Sequence, residues 1–403
     1  MSDWQEAISA RVERLTNEIV GIRHDLHRHP EVAGKEQRTS SVVAKYLEDR
    51  GIEVRRCKKN HGVVGLLRGG KPGPVVALRA DMDALPLAEA TGAEYASEVD
   101  GVMHACGHDV HTAAVLGTAA VLSDLRDRLE GSALFFFQPS EEFFPGGALG
   151  MIEEGALESP RPDAVFSLHT HPIPVGEIAI VPGPMIGSVS TLSLRILGKG
   201  GHFSGPHTAV DPIVVAAHVV IALESMMTRR VNPLDPAVLT FGMIQGGTRD
   251  NIIGDMVVLR GNIGALDESL CRFLMEELEK TVKGVTQAMG ASYKLKYIHG
   301  YPTMRNDPGM TAYVQRVAAP LIGGRNVRTC KPMLGGEDFS YFLEKIPGAM
   351  FFLGIHDPAK GAPISNHDPR YNPDDRAIPL GMKLMAHLVA EFREAGGAAS
   401  GRG

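Results

Sequence analysis

Short apolar runs in the first half of this chain keep ending on acids or histidines. VVGLL (63–67) and PVVALRA (74–80) lead to Asp81 and Asp83; GSALFFFQPSEE ends in Glu141 and Glu142; DAVFSLHTHP ends in His169 and His171. Runs of this length read as buried strands. Between them lie stretches of helical spacing. Over residues 3 to 28, Ile8, Val12, Leu15, Ile19, Ile22 and Leu26 recur at steps of three and four. Ser40 to Arg50 makes a second helix stopped by Gly51, and Thr112 to Leu125 a third. Strands alternating with helices predict an α/β sheet whose working side chains stand beyond the strand ends.

Residues 190 to 300 have another texture. TLSLRIL, PAVLTFGMI, DMVVLRGNI and SYKLKYI alternate as strands, with helices at Pro212 to Met227 and Asp267 to Met289, the latter capped by Asp267. The order βαββαβ is that of a split βαβ sandwich, inserted into the first domain. From Tyr301 the α/β texture returns, with helices at 309 to 322 and 377 to 394, and the tail GGAASGRG reads as disordered. The expected organisation is a catalytic domain over 1–187 and 300–403, with an inserted domain over 188–299. At 403 residues the chain exceeds one ordinary core, which agrees.

The formal net charge of −6 gives no basic stripe and argues against nucleic acid as a partner. Four cysteines in so long a chain do not make a disulfide framework. The start MSDWQEAISARVERL lacks the basic-then-apolar order of a signal peptide, and no apolar run approaches the ~20 residues of a membrane span. These features lead us to expect a cytoplasmic protein without a membrane partner.

MHACGHDVH (103–111) concentrates possible ligands: His104, Cys106, His108 and His111, with Gly107 free to bend the backbone. A structural zinc site would normally need a second Cys/His pair at a similar short spacing, and the chain has no CxxC and no second Cys-x-His. Any further ligands must come from distant segments, as catalytic sites arrange it. Asp81 and Asp83, Glu141 and Glu142, His169 and His171, and His367 in PISNHDPRYNPDD supply such segments. Neighbouring side chains on an extended segment point apart. Glu141 and Glu142 are therefore expected to divide their work, one on metal and one facing substrate as a base. The bland alternative is a solvated acidic turn. His24, His27 and His29 read as packing or surface groups; Cys57, Cys271 and Cys330 read as packing cysteines.

Taken in order, RHDLHRHPE (23–31), ALRADMDALPLAE (77–89), MHACGHDVHTA (103–113), QPSEE (138–142), LHTHP (168–172), GKGGHFSGPH (198–207), VNPLDPAVLTFGMIQGG (231–247), GGEDFSYF (335–342) and NHDP (366–369) resemble one family's signatures. It is the dinuclear-metal aminoacylase/carboxypeptidase family, in the amidohydrolase branch that includes hippurate hydrolase and auxin-conjugate hydrolases. The resemblance implies a phosphorylase/hydrolase-like catalytic domain with an inserted ferredoxin-like lid through which subunits form a homodimer. It implies that Cys106, His108, Glu142, His169 and His367 bind two divalent ions. Glu141 is then the general base and acid, and Asp83 orients a ligand. His202 reaches a substrate carbonyl in the partner subunit, and Asn251 meets the substrate carboxylate. A thiolate ligand suits zinc or manganese, with cobalt and nickel also compatible. The expected reaction is hydrolysis of a C–N bond in a small molecule, most simply the amide of an N-acyl or aroyl amino acid.

One stretch departs from the family. Where it has Gly-Thr followed closely by an arginine, this chain has Gly261-Asn262-Ile263-Gly264. Arg249 and Arg260 are the candidate substitutes, and the shift to Arg260 is expected to change its face. The altered lid keeps open a rival activity, deamination of an aromatic amine as by the 5-nitroanthranilate aminohydrolase that this branch resembles. A second rival is an inactive metal-binding protein; a retained Glu141 speaks against it, since storage needs no base.

Overall fold

The computed structural model describes residues 3–392. In chain order come α1 (Asp3–Arg28), α2 (Gln37–Glu48), β1 (Glu53–Arg56), β2 (Val63–Arg68), β3 (Lys71–Asp81), α3 (His108–Asp124), β4 (Glu130–Gln138), α4 (Ala148–Glu153), β5 (Ala164–Pro174), β6 (Ile178–Ala179) and β7 (Gly183–Ile186). There follow β8 (Ser188–Leu197), β9 (Gly201–His202), α5 (Pro212–Arg230), β10 (Ala237–Gly246), β11 (Ile252–Ile253), β12 (Met256–Ala265), α6 (Glu268–Ala288) and β13 (Ser292–His299). Then come β14 (Met304–Asn306), α7 (Pro308–Ile322), β15 (Val327–Arg328), α8 (Ser340–Leu343), β16 (Gly348–His356) and α9 (Ala377–Ala390). The tail expected to be disordered lies outside the described residues. The chain divides into two compact units, one of residues 1–183, 305–331 and 338–403, the other of 184–304 and 332–337.

In the first unit eight strands run in the order β1-β2-β4-β3-β5-β16-β6-β15. β4, β3, β5 and β16 are parallel neighbours, so their C-terminal ends lie at one edge. Their phenylalanines and aliphatic residues are buried on both faces, as a helix-covered parallel sheet requires. Helix α3 is buried on every side, from His108 to Leu122. Its apolar residues run all round it, so it serves as the core helix, with α1 and α9 packed against it.

Two expectations shift. Helix α3 starts at His108, four residues before Thr112, because Gly107 at φ 88 turns the chain directly into the helix. His169 and His171 lie inside β5 rather than after it. Pairing with β16 prolongs β5 to Pro174, a partner that local sequence does not show.

The second unit holds a four-stranded antiparallel sheet in the order β10-β12-β8-β13. Its chain order is β8-α5-β10-β12-α6-β13, and both helices pack on one face, over Leu192, Leu194, Val257, Leu259 and Ile263. Asp267 caps α6 by accepting from the N–H groups of Ser269 and Leu270. Arg260 and Asn262 are exposed whereas Val257, Leu259, Gly261 and Ile263 are buried. Arg260 therefore shares its face with position 264, four residues on. The expected change of face does not occur, because an even shift along a strand preserves it. One further correction concerns α5: by length and composition it alone among the described helices suffices to cross a membrane. Its Val215, Ala216, Val219 and Leu223 pack into the unit's core.

Candidate metal centre and active site

Four loops and strand ends of the first unit converge. Cys106 precedes Gly107, where a Cβ would stand 2.3 Å from Thr170 Oγ1, so only glycine fits between Cys106 and His108. Cys106 Sγ lies 3.5 Å from His169 Nε2. The His169 ring donates from Nδ1 to the Thr170 carbonyl at 2.8 Å, which leaves the Nε2 lone pair facing the thiol. His367, held at φ 66 with its N–H on the Ala105 carbonyl, brings Nε2 within 3.1 Å of Glu142 Oε1.

His108 is fully buried, yet neither ring nitrogen makes a well-formed hydrogen bond. Its Nδ1 is 3.3 Å from Asp83 Oδ1, and its Nε2 is 4.0 Å from Glu142 Oε1. A buried imidazole without a partner is costly unless something electrophilic takes its lone pair. The donor set fits a metal centre. Cys106/His108/His169, Cys106/Glu142/His367 and His108/Glu141/Glu142 are three triplets whose ligand atoms lie within 4.8 Å of one another. Cys106, His108 and Glu142 each belong to two of them.

Asp81, His108 and His111 form another triplet by distance. His111, however, has both ring nitrogens engaged. Nε2 accepts from the Thr170 N–H at 2.8 Å, so Nδ1 carries the proton that bonds Asp81 Oδ1 at 2.6 Å. Burial pushes its pKa down to about 4. His111 is thereby a neutral spacer. The Tyr371 hydroxyl donates to Thr170 Oγ1, which donates to the Cys106 carbonyl.

The electrostatics are those of a charge cluster. Burial and Glu142 raise the Cys106 thiol, but His169 and His108 outweigh them and bring it down to about 6. Hydrogen bonds to Cys106 and Glu142 carry His367 up to about 10. A thiolate and carboxylates are the forms a divalent cation needs, and protons on the histidines must leave when it binds.

Glu141 and Glu142 occupy a turn, not the extended segment expected, after Ser140 at φ 58. Asp83 fixes that turn: its Oδ1 and Oδ2 accept from the N–H groups of Glu141 (3.0 Å) and Glu142 (2.9 Å). Glu141 is 6% exposed and Glu142 is half-buried, which removes the solvated acidic turn as an alternative. Cys106, His108, Glu141, Glu142, His169, His367 and Asp83 are thus brought together. His202 and Asn251 belong to the second unit. There the Phe203 N–H meets the Asn251 carbonyl at 3.3 Å, and β9 pairs with β11. His202 is exposed, with Nδ1 2.8 Å from Ser204 Oγ.

Sequence reasoning missed Thr170, Asn366 and Arg79. Asn366 Nδ2 donates to the Cys106 carbonyl at 3.2 Å. Arg79 is buried between Asp81 (2.7 Å), Gln138 (2.9 Å) and Asp338 (2.9 Å). An arginine inside an otherwise apolar strand run was the one signal available. His27 is a buried group whose Nδ1 is 2.8 Å from Asp109, the residue after His108.

The C-terminal edge of the sheet's parallel strands carries a Cys/His/Glu cluster suited to a metal, and relatives show the class. The model of "Peptidase family M20/M25/M40" matches residues 77–391, so the chain belongs to that family. It is 37% identical to thermostable carboxypeptidase 1 of Saccharolobus solfataricus, over 97% of this chain and 99% of the relative. It is 40% identical to an N-acyl-L-amino acid amidohydrolase of Geobacillus stearothermophilus, over 81% of this chain and 86% of that one. Among solved structures it resembles the YXEP protein of Bacillus subtilis, a dinuclear metal-binding M20 peptidase. The TM-score there is 0.81 at 32% identity, covering 95% of this chain and 99% of the other. The protein is an enzyme acting on C–N bonds.

Proposed function

We propose that the enzyme hydrolyses the amide of an N-acyl or aroyl amino acid, using two divalent ions held by Cys106, His108, Glu142, His169 and His367. One observation carries this reading: three overlapping ligand triplets are linked in pairs by Cys106, His108 and Glu142, and Glu141 completes the one it forms with His108 and Glu142. When bound, the ions, zinc or manganese, supply Lewis-acid charge and acidify water. Glu141 takes the proton of the attacking water and returns it to the departing nitrogen. Asp83 holds Glu141 and Glu142 to their separate tasks through their backbone N–H groups. His169 turns its Nε2 lone pair toward Cys106 because Nδ1 is tied to the Thr170 carbonyl.

The second unit, in this reading, is a ferredoxin-like lid that pairs subunits. Its His202 steadies the carbonyl oxygen in the partner's site. Asn251 meets the substrate carboxylate, and Arg249 or Arg260 supplies the positive charge there.

The test is a screen of metal-reconstituted protein against N-acyl amino acids, simple amides and aromatic amines, with free-amine and ammonia detection. Release of the amino acid from an N-acyl substrate supports the proposal. Ammonia from an aromatic amine alone establishes the deaminase instead, and metal uptake without turnover of any class establishes a binding protein.

A further inference from the structure

Glu36 is fully buried, and the metal centre does not use it. It stands at the N-cap position of α2 yet makes no capping hydrogen bond there. Glu31 does that work, accepting from the N–H groups of Arg38 and Thr39 at 2.9 and 2.8 Å. The Glu36 carboxylate points instead to a residue 104 positions away. Its Oε1 accepts from the Ser140 N–H at 2.7 Å and from the Ser140 hydroxyl at 3.0 Å. Ser140 Oγ in turn accepts from the Gly34 N–H at 2.9 Å. Counting the two bonds to Asp83, three successive N–H groups, those of Ser140, Glu141 and Glu142, end on two carboxylates. Ser140 is held at φ 58, a conformation that L-residues keep only where surroundings impose it.

We infer that Glu36 is a positioning residue: with Asp83 it clamps the turn that aims Glu141 at the attacking water and Glu142 at the metal centre. This role rests on the amidohydrolase reading of those two residues. A residue kept only for packing would not place a carboxyl in the interior, where it is costly and where its Oε2 has no partner. Nor is Glu36 needed to start α2, since Glu31 caps that helix.

The experiment compares Glu36→Ala, Glu36→Asp and Glu36→Gln in kinetics at saturating metal and in the visible spectrum of the cobalt-loaded protein. Alanine removes the acceptor, and aspartate withdraws it by one methylene while keeping the charge. Both should lower kcat by about 10²-fold, the scale of a 1 Å misplacement, with KM within about twofold. Both should also alter the cobalt absorption through Glu142. Glutamine keeps an acceptor oxygen at Oε1 and should retain the wild-type spectrum and kcat within about threefold. Should alanine destabilise the fold, the aspartate variant carries the comparison. Wild-type kcat and spectrum in the aspartate variant overturn the clamp, as does a glutamine variant as impaired as the aspartate one. If the parent enzyme cleaves no N-acyl amino acid, the amidohydrolase reading fails by itself. The cobalt spectra of the three variants still decide the clamp.

Discussion

Cys106 and His108 stand two positions apart, and the glycine between them lets one turn serve three ligand triplets. Glu141→Gln should leave metal content intact and lower turnover by ~10²–10⁴-fold, since the amide keeps the shape but cannot accept the water's proton. Loss of metal with normal activity per remaining ion would make Glu141 a ligand instead. Cys106→Ser should weaken metal binding more than folding, because a serine hydroxyl does not ionise at neutral pH; calorimetric metal titration beside urea unfolding separates the two. His104 yields a prediction of another kind. Burial holds its ring down to about 3, and neither nitrogen has a partner. The unfolded chain takes up that proton below about pH 6.5, whereas the folded chain refuses it until near 3. Stability is therefore complete above about pH 6.5 and drains as pH falls toward 3. Between about pH 7 and 5 this ring accounts for a loss of about 2 kcal/mol. Metal-free His104→Leu should be less acid-sensitive by that amount in urea unfolding, and an unchanged pH slope would refute it. At this scale the ligand types were legible in MHACGHDVH, QPSEE and NHDP. The engagement of His111 with Asp81 and Thr170 was not, because those partners lie 30 and 59 positions away.

Elements carry these residues, and their limits explain what could be foreseen. The apolar runs before Asp81, Gln138 and His169 mark strands by composition, so the sheet's working edge was legible. Strand alternation predicts that Glu141 and Glu142 point apart, but the two sit in a turn and both come within reach of His108; the turn's carboxylate supports, Asp83 and Glu36, sit on other segments. No local pattern encodes such a tertiary brace. Likewise α3 begins at His108 rather than Thr112 because Thr170 and Gly107 interlock. Gly107→Ala should expose that lock. The new Cβ would meet Thr170 Oγ1 at 2.3 Å in a backbone at φ +88. We expect a destabilisation on the order of 2–4 kcal/mol and weaker metal retention, read by urea unfolding and metal dissociation. A variant as stable as the parent would show that the α3 start tolerates a side chain.

Across the whole molecule the chain forms two compact units, and the second takes in a short segment, 332–337, far along the chain from its main body at 184–304. If His202 acts in a partner's site, two dead variants should rescue one another. Glu141→Gln and His202→Ala subunits, co-expressed with two tags, form heterodimers holding one intact site. Random pairing puts about half of the subunits in them, so about a quarter of wild-type activity should return. Verified heterodimers without activity would place His202 in its own subunit's site. Beyond this, β16 lies between β5 and β6 in the middle of the sheet, yet residues 348–356 are translated long after residue 174. At ~5–20 residues per second a ribosome leaves the flank of β5 bare for on the order of ten seconds or more. Through that interval the nascent chain presents an apolar strand with unpaired backbone groups, the kind of edge that draws other chains. The triplet of Cys106, Glu142 and His367 likewise has no third member until residue 367 has emerged. Chains stalled short of β16 should therefore be held by chaperones and show no cobalt absorption typical of the full site. By the order of its ligands along the chain, the metal centre is completed only late in synthesis.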